Sequence, residues 1–394
     1  VPVPYPARAR LGVSLMFFTN GVLFSALLPR YPEFKAAFGL SNSEFGLLVV
    51  AFPAGALLAA AYAGRLIRRF GTLPTNAAGS LTLAAAMAVA GASGRVWLFA
   101  LALLVAGAVD SVVDAAQNVQ GVLVEQWRGR SVINSLHAVW SAGAATGGAI
   151  GAGAAALDVG PAVQMLVNGL VWGVVALVAC RLAAVPADVA VQDEADAVDA
   201  PVGARTARRA WLLLAPLVAL AICGTLVEDV ANNWAVLYLG TVVDAPVAIA
   251  GLGVSAVLVA QFVGRLTGDP LTDRWGRDRV ARAGGLLIAA GALVVVGAPV
   301  WPVALAGFAL TGLGCATLVP AAFAAAGRVP GLPEGTGIAM LGWLMRLGFL
   351  VTSPAIGGLS DLTSLRWAML VPVAAGLVAA TLAHREHVRE STGQ

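Results

Sequence analysis

The sequence predicts an all-α membrane protein of twelve transmembrane helices arranged as two six-helix bundles. Three observations carry that expectation. Hydrophobic residues make up 59% of the chain and charged residues 11%, with a mean hydropathy of +0.86, whereas a soluble domain is about half apolar and about a quarter charged. Twelve stretches reach the roughly 20 mainly apolar residues that a bilayer span needs. One long polar stretch, 184–209, divides them six and six.

The first six spans are expected at 10–29, 44–64, 74–93, 97–124, 132–156 and 161–183, and the second six at 210–239, 247–268, 280–298, 302–326, 335–359 and 365–383. The run after VPVPYPARARLG lacks a small-residue cleavage pattern, so it reads as a retained first span. The bundles are expected at 1–183 and 210–394. The stretch between them, with Asp188, Asp193, Glu194, Asp196 and Asp199 followed by Arg205, Arg208 and Arg209, reads as a cytoplasmic linker. Abundant glycine and alanine suit helices that pack closely in lipid. Cys180, Cys223 and Cys315 lie far apart in apolar segments and read as small buried residues, in neither a metal spacing nor a disulfide framework.

Orientation follows from the basic residues. Alternating loops place nineteen of the 24 lysines and arginines on the side of the termini. Arg30, Lys35, Arg95 and Arg366 fall on the other side, and Arg346 falls inside a span. Cytoplasmic loops carry the excess of positive charge, so both termini are expected in the cytoplasm. The loop after the second span of each half also repeats, as GRLIRRFG from Gly64 and GRLTGDPLTDRWG from Gly264. Repeated halves mark carriers that rock about a central site.

The polar residues inside the spans carry the functional reading. In the fourth span, Asp110, Asp114, Gln117 and Asn118 stand at i, i+4, i+7 and i+8 and share one helical face. A carboxylate at the centre of a bilayer helix costs about 2.5–3.5 kcal/mol, so something polar must face it. Asp110 lies about 20 Å into its span at 1.5 Å per residue. Burial there disfavours the charged carboxylate and suits it to load and release a proton, although an acid merely hydrogen-bonded to a neighbouring helix fits the same pattern. Asp114 and Glu228 are further proton-coupling candidates. Glu228 shares a face with Asn232, while Asp229 points about 100° away and reads as packing or gating.

Arg346 is the one basic residue deep in a span, with Trp343 a turn earlier. It could pair permanently with an acid or clamp an anionic or hydroxylated substrate. In the fifth span Asn134, His137 and Ser141 share a face, with Trp140 at its edge. His137 can be a proton relay or a satisfied interfacial histidine. Asn20 falls near the middle of the first span among Phe17, Thr19 and Phe24. Asn20, Gln117, Asn118, His137, Asn232, Trp343 and Arg346 form the expected substrate-binding set. Its amides, with Gln120, Gln164, Asn168 and Gln261, point to a polar cargo.

Other chemistries find no support. Gly251-x-Gly253 and Gly312-x-Gly314 lie within spans and follow no strand, so neither is a nucleotide loop. His384 and His387 are too few for a metal site. The arginines are topology charges and make no nucleic-acid patch. With no nucleophile–base pair in the spans, no enzymatic activity is expected. No cofactor is expected beyond the proton as coupling ion, and the expected partners are a small-molecule substrate and the lipid bilayer, with the chain a monomer.

The Gly268-Asp269-Pro-Leu-Thr-Asp273-Arg274-Trp-Gly276-Arg277 loop resembles the second-half copy of the conserved loop of the major facilitator superfamily. With twelve spans split six and six, the resemblance covers essentially the whole chain. It implies the major facilitator fold and gives Asp269, Asp273 and Arg274 a gating role. The first-half copy departs from the pattern, with Arg68 where an acid is usual. A narrower resemblance, to the fucose-permease-like and YbjJ-like bacterial inner-membrane branch, rests on three segments. These are VQGVLVEQ ending the fourth span, Asn134-Ser-Leu-His137, and Glu228 followed by Asn232-Asn233-Trp234 and Tyr238. Asn233 stands where that branch commonly has an acid. The run from Gly143 to Gly151 resembles an antiporter signature with its proline replaced by Gly148, and it also fits plain helix packing. The residues and the resemblance together give the expectation of a proton-coupled carrier that works by alternating access in a bacterial-type inner membrane. Its expected cargo is a small polar solute such as a sugar or polyol, moved inward. Proton-driven export of a drug or metabolite and a non-transporting membrane sensor stand as alternatives.

Overall fold

The computed structural model describes residues 6–129, 132–186, 204–326, 329 and 336–392, and the described residues are helical apart from short turns. Most of the acidic linker expected at 184–209 lies outside them. The chain divides into two units, Val1–Phe38 with Leu48–Val198, and Gly39–Leu47 with Asp199–Gln394.

Unit 1 begins with α1 (Pro6–Ser25), a short 3-10 turn (Leu28–Arg30) and α2 (Tyr31–Ala37). After α3 (Asn42–Val49), which passes from unit 2 into unit 1, come α4 (Ala51–Phe70), α5 (Thr72–Ala92), α6 (Val96–Arg128), α7 (Ile133–Ala156) and α8 (Pro161–Leu182). Helix α1 packs against α6, α7 and α8, and α5 against α6 and α8. The α1–α7 contact is close because Gly143, Gly147 and Gly151 form a four-residue stripe on α7. A Cβ at these positions would collide with the backbone carbonyls of Phe18, Val22 and Ala26 in turn. The turn before α2 is braced by Arg30, which is 3% exposed, ion-pairs with Glu33 at 2.8 Å and donates to the carbonyl of Val159.

Unit 2 contains α9 (Ala204–Thr241), α10 (Val247–Gly251), α11 (Gly253–Trp275), α12 (Arg277–Gly297), α13 (Trp301–Cys315), α14 (Leu318–Ala326), α15 (Thr336–Leu362), α16 (Leu365–Ala368) and α17 (Leu370–Thr392). Helix α12 packs on α13 and α17, α11 on α13, and α9 on α14 and α15. A core of Leu214, Leu217, Ala221, Ile288, Leu318 and Leu341 joins these helices. Residues 39–47 dock on α15 in this unit. The carboxylate of Asp361 accepts from the backbone N–H groups of Asn42 (3.0 Å) and Ser43 (2.7 Å), and Asn42 donates to Ser360 Oγ at 2.8 Å. A carboxylate at the first turn of α3 satisfies amides that lack intrahelical partners.

The repeated loop of the two halves appears as repeated backbone geometry. Helix α4 is joined to α5 by Gly71 alone, and α11 to α12 by Gly276 alone. Both glycines have φ of 83°, with ψ of 161° and 153°, and each donates its N–H to a carbonyl four residues back. That conformation is essentially closed to residues with a Cβ.

Eleven helices among the described residues are long and apolar enough to cross a membrane. The fifth predicted span, α7, has the length at 24 residues but falls outside that set. Its glycines and its Asn134, Ser135, His137 and Ser141 lower the mean hydropathy, so a residue stripe that serves packing and polar contact hides the span. With α7, the helices make the twelve transmembrane segments of two six-helix bundles.

Candidate functional site

In unit 1 the polar residues of α1, α6 and α7 meet in two hydrogen-bonded chains. In the first, Trp140 Nε1 donates to Asn20 Oδ1 at 2.7 Å and Asn20 Nδ2 donates to Asp110 Oδ1 at 2.7 Å. The indole N–H can only donate and the carboxylate only accept, so the amide orientation of Asn20 is fixed from both sides. Asn20 is 4% exposed, and the aromatic ring of Phe24 stacks over Trp140 at 6.5 Å. In the second chain, Asn118 Nδ2 donates to Asp114 Oδ1 at 3.0 Å, and His137 Nε2 lies 3.2 Å from Asn118 Oδ1. With its Nδ2 committed to Asp114, Asn118 presents only an acceptor to the imidazole, so His137 carries its hydrogen on Nε2. The ring of Phe17 packs edge-on against His137 at 5.3 Å. One helical face thus supplies two carboxylates, each reached by an amide, with an indole behind one and an imidazole behind the other.

Gln117 does not join them. It is 1% exposed and its Nε2 donates to the carbonyl of Met16 on α1 at 3.1 Å. Gln120 is similarly spent on the carbonyl of Ala183. These two amides tie α6 to its neighbours, as amides in bilayer helices often do.

Unit 2 separates the adjacent acids of α9. Glu228 ion-pairs with Arg265 of α11 at 3.2 Å and accepts a short hydrogen bond from Gln261. Asp229 faces α15. It is 4% exposed and accepts from Ser353 Oγ at 2.6 Å and from Asn233 Nδ2 at 2.8 Å. Asn232 is half-buried. On α15, Trp343 is 51% exposed and Arg346 is half-buried, and within unit 2 no described residue forms a hydrogen bond or ion pair with Arg346. Of the expected gating residues, Asp273 and Arg274 are exposed near the end of α11, and the side chain of Asp269 lies outside the described part. The side chain of Asn134 does too. Sequence reasoning did not foresee the ion pair of Glu228 or the partnership of Asp229 with Ser353, because these partners stand 37 and 124 positions away. No group of three or more metal-ligating side chains occurs among the described residues.

The model of the Major Facilitator Superfamily matches residues 13–258 and 218–393. A protein described as uncharacterized transporter y4wD, from Sinorhizobium fredii (strain NBRC 101917 / NGR234), is 31% identical over 373 residues, covering 94% of this chain and 96% of the relative. Among solved structures, a mutant of the nucleoside transporter NupG superposes with a TM-score of 0.77 at 13% identity, over 96% of this chain and 99% of that one. A D-xylose-proton symporter superposes with a TM-score of 0.73 at 16% identity, over 96% and 95%. At such identities the superpositions speak for the fold alone. The match of the family model to almost every span, together with a full-length relative, shows that the chain is a multi-pass membrane transporter belonging to the Major Facilitator Superfamily.

Proposed function

We propose that the protein is a proton-coupled secondary transporter that imports a small polar organic solute, such as a sugar or polyol, by alternating access. The observation that carries this reading is the anchoring of Asp110 by Asn20 and Trp140. An acid inside a bilayer span is costly and rare, and one held by donors from neighbouring helices is a candidate for carrying a proton. Asp110 is the first proton site, with Asp114 next to it through Asn118 and His137. Glu228 can take part only by leaving Arg265. The substrate is held by Asn20, Asn118, His137, Asn232, Trp343 and Arg346. Gln117 positions α6 on α1. Asp269, Asp273 and Arg274 act in gating.

Several features support a polar cargo. The expected substrate-binding residues are rich in amides and include Arg346, whose guanidinium suits hydroxyls or an anionic group. The similarity to a nucleoside transporter and to a D-xylose-proton symporter is in keeping with it. The excess of basic residues on one side of the predicted spans supports a bacterial-type inner membrane with both termini in the cytoplasm. The glycine stripe of α7 is engaged in packing on α1, so it adds no weight to export.

The test is uptake by proteoliposomes under an imposed pH gradient, using a radiolabelled panel of monosaccharides, polyols and nucleosides. The wild type is expected to accumulate at least one of them only when the gradient is present. Asp110→Asn should lose the response to the gradient while retaining exchange of the same solute. Equal gradient dependence in both would remove Asp110 from the coupling role.

A further inference from the structure

The unit 2 carboxylates differ in one respect that decides their chemistry. Glu228 already has a cation, Arg265. Asp229, one residue on, has none among the described residues of its unit. Its partners are the hydroxyl of Ser353 and the amide of Asn233, both neutral. Among the described side chains, no cation on the helices packed against α9 forms an ion pair with Asp229. Helix α11 brings Arg265 to Glu228, and its Asp273 and Arg274 are exposed at the helix end. Helix α13 brings only Cys315, which takes a hydrogen bond from Gln261. Helices α10 and α14 carry no ionisable residue, and neither does α17 up to Ala383. On α15, Arg346 lies seven residues before Ser353 and Asp361 eight after. On the docked segment, Glu44 accepts from the backbone N–H of Ser41.

Each carboxylate oxygen of Asp229 accepts one hydrogen bond, and Ser353 Oγ is fully engaged. Ser353 Oγ donates its one hydrogen to Asp229 and accepts from Asn233 Nδ2 at 3.1 Å and from Trp234 Nε1 at 3.2 Å. Its two lone pairs are used. Asn233 sends its second amide hydrogen to the other carboxylate oxygen. This network fits the ionised acid. A proton arriving on either oxygen must displace one of these donors or be left buried without an acceptor, which is costly.

The donors reach the segment that docks on unit 2. Phe45 of α3 packs edge-on against the ring of Trp234 at 5.6 Å, and Gly46 lies so close that a Cβ there would collide with the carbonyl of Ser353. Moving Trp234 or Ser353 therefore disturbs the seat of residues 39–47.

We infer that Asp229 is the proton-binding residue of unit 2 and that its protonation releases residues 39–47 through Ser353 and Trp234. The inference rests on the reading of the chain as a proton-coupled carrier. It adds a second proton-responsive group, distinct from Asp110, that acts on a moving part and makes no contact with cargo.

Two measurements on the full chain in lipid nanodiscs test it, and neither needs the substrate. Infrared difference spectra between acid and alkaline buffer read protonated carboxyl groups directly. The wild type should show a carboxyl C=O band that Asp229→Asn loses and Ser353→Ala keeps. Hydrogen exchange at a single pH reads the docking. Peptides covering 39–47 should exchange several-fold faster in Asp229→Asn than in the wild type, while peptides covering 72–92 should be unchanged, which guards against general unfolding. A band of full amplitude in Asp229→Asn, or equal exchange of 39–47 in both proteins, overturns the inference. Flux assays on Asp110→Asn bear on the carrier reading separately. Gradient-independent flux together with a titrating Asp229 band would sink that reading alone.

Discussion

Asn20 donates its side-chain amide to Asp110 at 2.7 Å across 90 residues of sequence. A hydrogen bond to an ionised group contributes about 1.5–3 kcal/mol, so Asn20→Ala should lower gradient-driven uptake by roughly tenfold or more. Asn20→Asp makes the sharper test. It sets a second carboxylate against Asp110, and like charges at that distance resist joint ionisation. Uptake by Asn20→Asp should fall most at alkaline pH, where both acids would ionise, and recover as the pH is lowered. A loss independent of pH would show that Asn20 acts through packing alone.

Glu228 and Arg265 make a half-buried pair, and removing one member takes a counter-charge from the other. Arg265→Ala should destabilise the purified protein by about 1–3 kcal/mol. The double variant Glu228→Gln with Arg265→Gln should recover part of that loss, because no charge is left unmatched. Thermal unfolding in detergent, run as a double-mutant cycle, reads the coupling. Additive losses would mean that the pair contributes nothing.

Glycines of one helix should differ sharply in their tolerance of a methyl group. A Cβ at Gly143 meets the carbonyl of Phe18, whereas one at Gly153 meets nothing within 4 Å. Gly143→Ala should cost about 1–3 kcal/mol from overpacking, and Gly153→Ala should be neutral or mildly stabilising, since alanine is the better helix former. Detergent thermal melts of the two variants settle the comparison.

The predicted orientation can be read with an impermeant thiol reagent on intact cells. The native cysteines are all buried, so introduced ones report alone. Leu157, 78% exposed in the loop between α7 and α8, lies on the side assigned outside, and Arg274 lies on the side assigned inside. Leu157→Cys should label in intact cells, and Arg274→Cys only after permeabilisation. The reverse pattern would invert the assignment.

Much of the fold is legible in the sequence because bilayer spans are long and their composition differs from that of loops. The α7 span is the instructive case. Its length and loops identify it, while its glycine stripe and polar residues depress the hydropathy that would otherwise announce it. The site is legible only in part. Periodicity puts Asp110, Asp114, Gln117 and Asn118 on one face, but a face of that width touches more than one neighbour. Packing turns Gln117 to Met16 and leaves Asn118 with Asp114 and His137. The adjacency of Glu228 and Asp229 tells that they diverge. It cannot tell that one meets an arginine and the other a serine, since those partners lie on α11 and α15, and nothing local encodes which helices will flank α9.

The single-residue joints at Gly71 and Gly276 set the rotational phase of the helices that follow them. Each residue added to a helix turns it by about 100° and advances it by about 1.5 Å. One inserted residue at Gly71 would carry Asn76, Leu83 and Met87 of α5 out of the core, and one at Gly276 would do the same to Ala281 and Ile288 of α12. A loop can absorb such a change, but a joint one residue long has no slack. The repeated segments of the two halves differ in side chains, yet the joint is one residue long in both.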